Sequence, residues 1–212
     1  MNIIGALRYR GNTPYDIHSS SLSTINYQLT NMPLGNEPAK LIQKKLHYQG
    51  RKFSFDVDQI ELPNGVIGDW ECVHHPGGAM AVPITNDGKL VLVKQYRFAT
   101  QGRILEFPAG TLEIGEDPAT TIAREIEEET GYRARKWHNL GEFFLAPGYS
   151  DEIIYAYLAQ DLEKLAVQPA GDDDEDISVI LMTPAEFEAA LDRGESIDAK
   201  SIAAYFLARK FL

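Results

Sequence analysis

From Leu41 onward the chain reads as short bursts in which apolar and polar residues alternate. Residues 52–60 put Phe53, Phe55 and Val57 at every second position, the period of a half-buried strand, and residues 69–74 follow a Pro63-Asn64-Gly65 turn, so the two segments are predicted to pair antiparallel. Residues 79–85 and 89–96 flank Asn86-Asp87-Gly88, whose glycine accepts the positive φ of a tight turn, which predicts a hairpin. Residues 141–147, 152–159 and 177–182 supply three further strands. Before residue 41 the Ser, Asn and Thr content is high and no helical or strand period persists, which predicts an extension or arm.

Helical periods appear in three places. Asp117-Pro118 opens one helix and Gly131 closes it, with Ala119, Ile122, Ala123 and Ile126 on its buried face. Thr183-Pro184-Ala185-Glu186 has the form of a capping box followed by a second helix. A third, from Asp198, is expected to dock through Ile202, Ala203, Phe206 and Leu207. Strands and helices do not alternate regularly enough for a doubly wound sheet. The expected class is α+β, a mixed sheet between helices in an α/β/α sandwich with a β-rich N-terminal extension. The chain divides into an arm over 1–40, N-terminal strands over 41–78 and a main domain over 79–212.

Composition narrows the function. With 212 residues, 44% of them hydrophobic, the chain can bury one sizeable core. A net charge of −11 argues against a nucleic-acid or anionic-membrane surface, and no apolar run approaches the roughly 20 residues that span a bilayer. Cys72 is the single cysteine, which excludes an internal disulfide framework, and no secretory leader is legible, so the cytoplasm is the expected location. His74, His75 and His138 are not at metal-ligand spacing.

The helix after Pro118 breaks its own rules. Glu125, Glu128 and Glu129 share one side at offsets of three and four, where like charges repel, and they occupy the last turns, near the negative end of the helix dipole. A divalent cation would compensate both placements, since Mg²⁺ prefers oxygen ligands and is held by carboxylates together with substrate phosphates. The competing account is a solvated acidic face helped by Arg124, four residues before Glu128. Glu127 lies about half a turn from the cluster and is expected to stand outside it.

Around this helix, Gly110, five residues, Glu116, seven residues, and Arg124-Glu125-Ile126-Glu127-Glu128-Glu129-Thr130-Gly131-Tyr132 reproduce the Nudix box over 23 residues. Only Tyr132 departs from it, where a smaller aliphatic residue is usual. The resemblance implies that Glu125 and Glu129 ligate Mg²⁺, with Mn²⁺ as an alternative ion, and that Glu128 joins them or assists through water. It implies that the carbonyl of Ala109 is a further ligand, that Gly110 contacts the substrate, that Glu116 and Arg124 orient the helix, and that Gly131 is structural. The implied reaction is attack of water on phosphorus in a pyrophosphate.

Outside the box, Leu62-Pro63-Asn64-Gly65, His75-Pro76-Gly77-Gly78-Ala79, Gln95-Tyr96-Arg97, Glu106-Phe107-Pro108-Ala109-Gly110 and the stretch from Ala146-Pro147 to Glu152 resemble the ADP-ribose pyrophosphatase branch of that family. Arg97 then suits a phosphate, with a salt bridge as its alternative, and Glu106 and Glu152 suit ribose contacts or support. Similar enzymes carry the general base and an extra metal contact in a glutamate pair, which falls here on Asp173 and Glu175, with Glu175 the implied metal contact. Asp173 is one methylene short, and a solvated acidic loop is the competing account. Trp70 and Tyr96 are candidates to stack on adenine. The resemblance also implies a homodimer with residues 1–60 crossing over. Within the hydrolases GDP-mannose, UDP-glucose and NADH remain open as substrates. A non-catalytic ADP-ribose sensor would have lost carboxylates, and none of the box's carboxylates is missing.

Overall fold

A computed structural model of the chain describes residues 37–113, 115–171 and 176–212. The arm expected before residue 41 falls almost wholly outside them, as do Asp173 and Glu175. In chain order the elements are β1 (Lys40–Gln49), β2 (Ser54–Glu61), β3 (Ile67–His74), β4 (Gly78–Pro83), β5 (Leu90–Arg97), β6 (Gly102–Glu106), β7 (Ala109–Thr111), α1 (Pro118–Thr130), β8 (Tyr132–Phe144), β9 (Ile153–Lys164), β10 (Ile177–Met182), α2 (Pro184–Asp192) and α3 (Ala199–Ala208).

Strand β4 is buried at every position, because it has a helix layer on each side. Its residues alternate between two cores. Met80 and Val82 join Leu90, Leu92, Phe107, Leu158, Phe187, Ala204 and Ala208, while Ala79 and Ala81 join Val91, Ile122, Ile126, Ala134 and Ala159. The second core is rich in alanine on the sheet side, which lets α1 lie close to the strands. The sheet is mixed, in the order β7-β4-β9-β8, with β4 parallel to β9 and the other pairs antiparallel. A second sheet, β10-β5-β6, is antiparallel, and β1-β2-β3 form a third. The fold is the α+β sandwich expected from the pattern.

Three expectations are corrected. The strand expected over 141–147 is the end of a longer one that starts at Tyr132 and stops at Phe144, because Ala146 O accepts the Tyr149 and Ser150 N–H groups and turns the chain at Pro147. Strands β4 and β5 do not form a hairpin beyond its tip: Thr85 donates to Lys89 O at 2.8 Å and Ile84 bridges Leu90, after which the strands part into different sheets. Both edges of β4 are taken by β7 and β9 and both edges of β5 by β6 and β10, so neither strand has an edge left for the other. Helix α3 is rotated from its expected face. It docks through Ser201, Ala204, Tyr205 and Ala208, and Phe206 is left 69% exposed. Small side chains bring α3 close enough for the Ser201 hydroxyl to accept the buried Phe107 N–H at 2.9 Å, which the bulkier stripe would prevent. Among the described residues no helix is long and apolar enough to cross a membrane.

Candidate active site

Helix α1 is fixed at both ends by its own sequence. The Asp117 carboxylate accepts the Thr120 N–H at 3.1 Å with Pro118 at the first helical position, and Gly131 closes the helix at φ 68°, in the left-handed region glycine tolerates. Ile122 and Ile126, fully buried, then set the rotation of the helix. That rotation carries Glu125 and Glu129 over β7. Glu129, itself buried, accepts the Ala109 N–H through Oε2 at 3.3 Å. A Cβ on Gly110 would sit 2.1 Å from Glu125 Oε1, so only glycine leaves room for that carboxylate.

Arg124 holds the acidic cluster together from outside. Its guanidinium lies 2.9 Å from Glu125, 2.7 Å from Glu128 and 4.0 Å from Glu116. Burial works against its charge, but these carboxylates outweigh that and hold its pKa above the ordinary value. Glu116 also accepts the Glu113 N–H at 3.2 Å, which ties down the loop before the helix. The negative end of the helix is met by Lys164, which donates to Thr130 O at 2.9 Å and stands 4.3 Å over the Tyr132 ring. Gln168 donates to Glu128 O at 2.6 Å. Part of the compensation demanded by the acidic helix end thus comes from the chain itself.

Glu127 does stand away from the cluster, yet it is not a bystander. It is buried and receives Arg133 through Nε at 2.6 Å and Nη2 at 2.8 Å, so it pins the helix to the start of β8.

The other candidates approach from the surrounding strands. Glu106 is 3% exposed and bridges two cations: Arg97 donates to its Oε2 through Nε at 2.9 Å and Nη2 at 2.8 Å, and Lys200 donates to its Oε1 at 2.9 Å. Lys200 also pairs closely with Asp198. The salt bridge considered for Arg97 is therefore present, and it holds a half-exposed guanidinium at the end of β5. Lys200 carries no local signal, since 94 residues separate it from Glu106. The carbonyl of Asp176 accepts the Tyr96 N–H at 3.2 Å, one residue before Arg97. Pro147 lies in the β8–β9 connection, whose Tyr149 N–H returns to Ala146 O at 3.1 Å. Glu152 stands two residues before Ile154, and Gly78 pairs with both Ile154 and Thr111, so Glu152 enters at the Gly110-Thr111 end of β4. Its Oε1 is 3.5 Å from His75 Nδ1.

The donors gathered on α1 beside β7 are carboxylate oxygens, and Gly110 leaves a cradle for that of Glu125. That set fits a hard divalent cation such as Mg²⁺. A NUDIX domain model matches residues 74–205. The chain is 38% identical over 162 residues to the ADP-ribose pyrophosphatase of Bacillus subtilis (strain 168), covering 76% of this chain and 88% of the relative. It is 40% identical over 165 residues to the methanol dehydrogenase activator of Bacillus methanolicus, covering 78% and 89%. The crystal structure of an ADP compounds hydrolase superposes with a TM-score of 0.71 at 25% identity, over 83% of this chain and 95% of that one. The acidic helix, its glycine cradle and the sandwich that carries them, together with these matches, establish that the chain belongs to the Nudix family of hydrolases.

Proposed function

We propose that the protein hydrolyses ADP-ribose to AMP and ribose 5-phosphate in a Mg²⁺-dependent reaction, with Mn²⁺ as an alternative ion. The observation that carries this is the convergence of Glu125 and Glu129 on the Ala109-Gly110 backbone, in a chain similar over most of its length to an ADP-ribose pyrophosphatase. Glu125, Glu129, the Ala109 carbonyl, Glu128 and Glu175 would hold the divalent metal. When bound, it neutralises charge on the bridging and leaving oxygens.

The remaining work belongs to side chains. Arg97, aimed by Glu106, presents donors to a phosphate. Glu152 and the Gly110 backbone contact the sugar end of the substrate. Asp173 or Glu175 takes the proton of the attacking water as its oxygen bonds to phosphorus and the bridging P–O bond breaks. Glu116, Arg124, Gly131 and Pro147 shape the site. The same proposal places the main domain at 79–212 and assigns residues 1–40 and 41–78 to an arm and to strands that join two copies in a homodimer. It also places the protein in the cytoplasm, a reducing compartment that suits its single cysteine.

The test is a panel of ADP-ribose, NADH, GDP-mannose and UDP-glucose incubated with protein and Mg²⁺, with products resolved chromatographically. ADP-ribose is expected to lead in kcat/KM. Preference for another substrate by more than about tenfold, roughly 1.4 kcal/mol of transition-state discrimination, overturns the substrate while leaving the reaction class.

A further inference from the structure

Away from the acidic helix, one face of the β1-β2-β3 sheet gathers a second set of donors. Cross-strand register puts His47, Asp56 and Cys72 side by side, and the two-residue period of β3 puts His74 on the same side as Cys72. Here β3 docks on the catalytic unit: Val73 N–H donates to Tyr149 O at 2.8 Å, and Asp151 N–H donates to Val73 O at 3.2 Å. This contact swings the Asp151 carboxylate onto the sheet, where Oδ2 lies 2.6 Å from His74 Nδ1. The Cys72 sulfur is 3.9 Å from the same nitrogen. One thiol, one imidazole and one carboxylate from two distant stretches of chain thus have their ligand atoms within 4.8 Å of one another.

We propose that Cys72, His74 and Asp151 form a binding site for a borderline-soft divalent cation of the Zn²⁺ class, which staples the N-terminal sheet to the loop that leads into Glu152. A sulfur, a nitrogen and an oxygen donor suit such an ion and do not suit Mg²⁺. Ligands at about 2.0 Å for N and O and about 2.3 Å for S leave tetrahedral ligand atoms roughly 3.3 to 3.6 Å apart. The Cys72–His74 separation is thus close to final, and the His74–Asp151 contact opens by less than about 1 Å as the ion replaces the bridging proton.

The supporting residues are in place. Asp56 Oδ2 lies 3.6 Å from His74 Nε2, on the far side of the ring, where a carboxylate fixes the orientation of a metal-binding histidine. The His75 N–H holds Asp151 Oδ1 at 2.9 Å. Asp58, two residues along from Asp56 on the same face, has a buried Oδ1 without a hydrogen-bond partner among the described residues.

The experiment titrates Co²⁺ into the full chain with Mg²⁺ in excess, so that the hard ion occupies the α1 carboxylates. Wild type is expected to bind one Co²⁺ with four-coordinate visible absorption and a near-ultraviolet thiolate-to-cobalt band. Cys72→Ser removes that band. His74→Gln and Asp151→Asn weaken binding by roughly tenfold or more, and Glu129→Gln leaves both band and affinity unchanged. As a check that needs no variant, saturating Zn²⁺ slows alkylation of Cys72 in wild type by at least about tenfold, because a coordinated thiolate is withdrawn from attack. Absence of the thiolate band, undiminished affinity in both His74→Gln and Asp151→Asn, or unchanged alkylation overturns the site.

Discussion

At Gly110 a single missing side chain decides whether the acidic cluster can form. Gly110→Ala would place its Cβ 2.1 Å from Glu125 Oε1 and 2.4 Å from the Cγ behind it, so the glutamate must swing away. A longer side chain yields more easily than backbone. Unfolding by urea should therefore move little, within about 1 kcal/mol, while kcat falls at least about tenfold. An active Gly110→Ala enzyme would show that Glu125 is not needed in its observed position. Glu129→Gln should cost on the order of 10² in kcat, about 2.7 kcal/mol, without loss of stability. The proper comparison for it is Glu163→Gln, an exposed partner of Arg135, because Glu127→Gln breaks a buried two-point contact with Arg133. That change should lower stability by about 1–2 kcal/mol and leave kcat nearly intact. Equal, mild kinetic effects at Glu129 and Glu163 would remove the metal platform from the account.

At the scale of elements, what the sequence made legible depended on how far its signals reach. Helix α1 could be read because its caps, its apolar period and its glutamates lie within 23 residues, and each of these is a local property. The parting of β4 and β5 was not legible, since edge availability exists only once β7, β9, β6 and β10 are in place. The phase of α3 was misread because isoleucine and phenylalanine outweigh serine and alanine in any hydrophobic count. In the fold, close approach and a hydrogen bond to Phe107 favour the small residues. Ser201→Ala tests that phase: it leaves the Phe107 N–H buried without a partner and should cost about 1–3 kcal/mol, whereas Phe206→Ser on the opposite side should stay within about 0.5 kcal/mol. The reverse order in urea denaturation would restore the expected face. Lys200 and the Cys72–His74–Asp151 group were invisible for the related reason that 94 and 77 residues of chain separate their partners.

For the whole molecule, the N-terminal sheet poses the question of what covers it. The face of β1 and β2 opposite His47 and Asp56 carries Leu46, Tyr48, Phe55 and Val57, with Tyr48 65% and Leu46 50% exposed in the single chain. A contiguous apolar face of this kind is uncommon on a protein that works alone, and the proposed homodimer would bury it. Leu46→Lys combined with Tyr48→Lys should weaken dimerisation by at least about tenfold, read by light scattering across a dilution series. Both side chains are already exposed in the monomer, so its own unfolding transition should scarcely move. A monomeric wild type, or a double variant that dimerises as tightly as wild type, overturns this interface. Acid provides a second handle on the same sheet. The His47 hydrogen bond, opposed by burial and helped by Lys44 and His74, holds the Asp56 carboxyl below its ordinary value. A carboxyl depressed in the folded state stabilises fully above its unfolded pKa of about 3.9 and loses that contribution as the pH falls through the folded value. Asp56→Asn should therefore be less stable than wild type at pH 6, with the gap closing as the pH falls below the unfolded carboxyl value. A gap that widens in acid would mean that the charge on Asp56 opposes the sheet instead of holding it together.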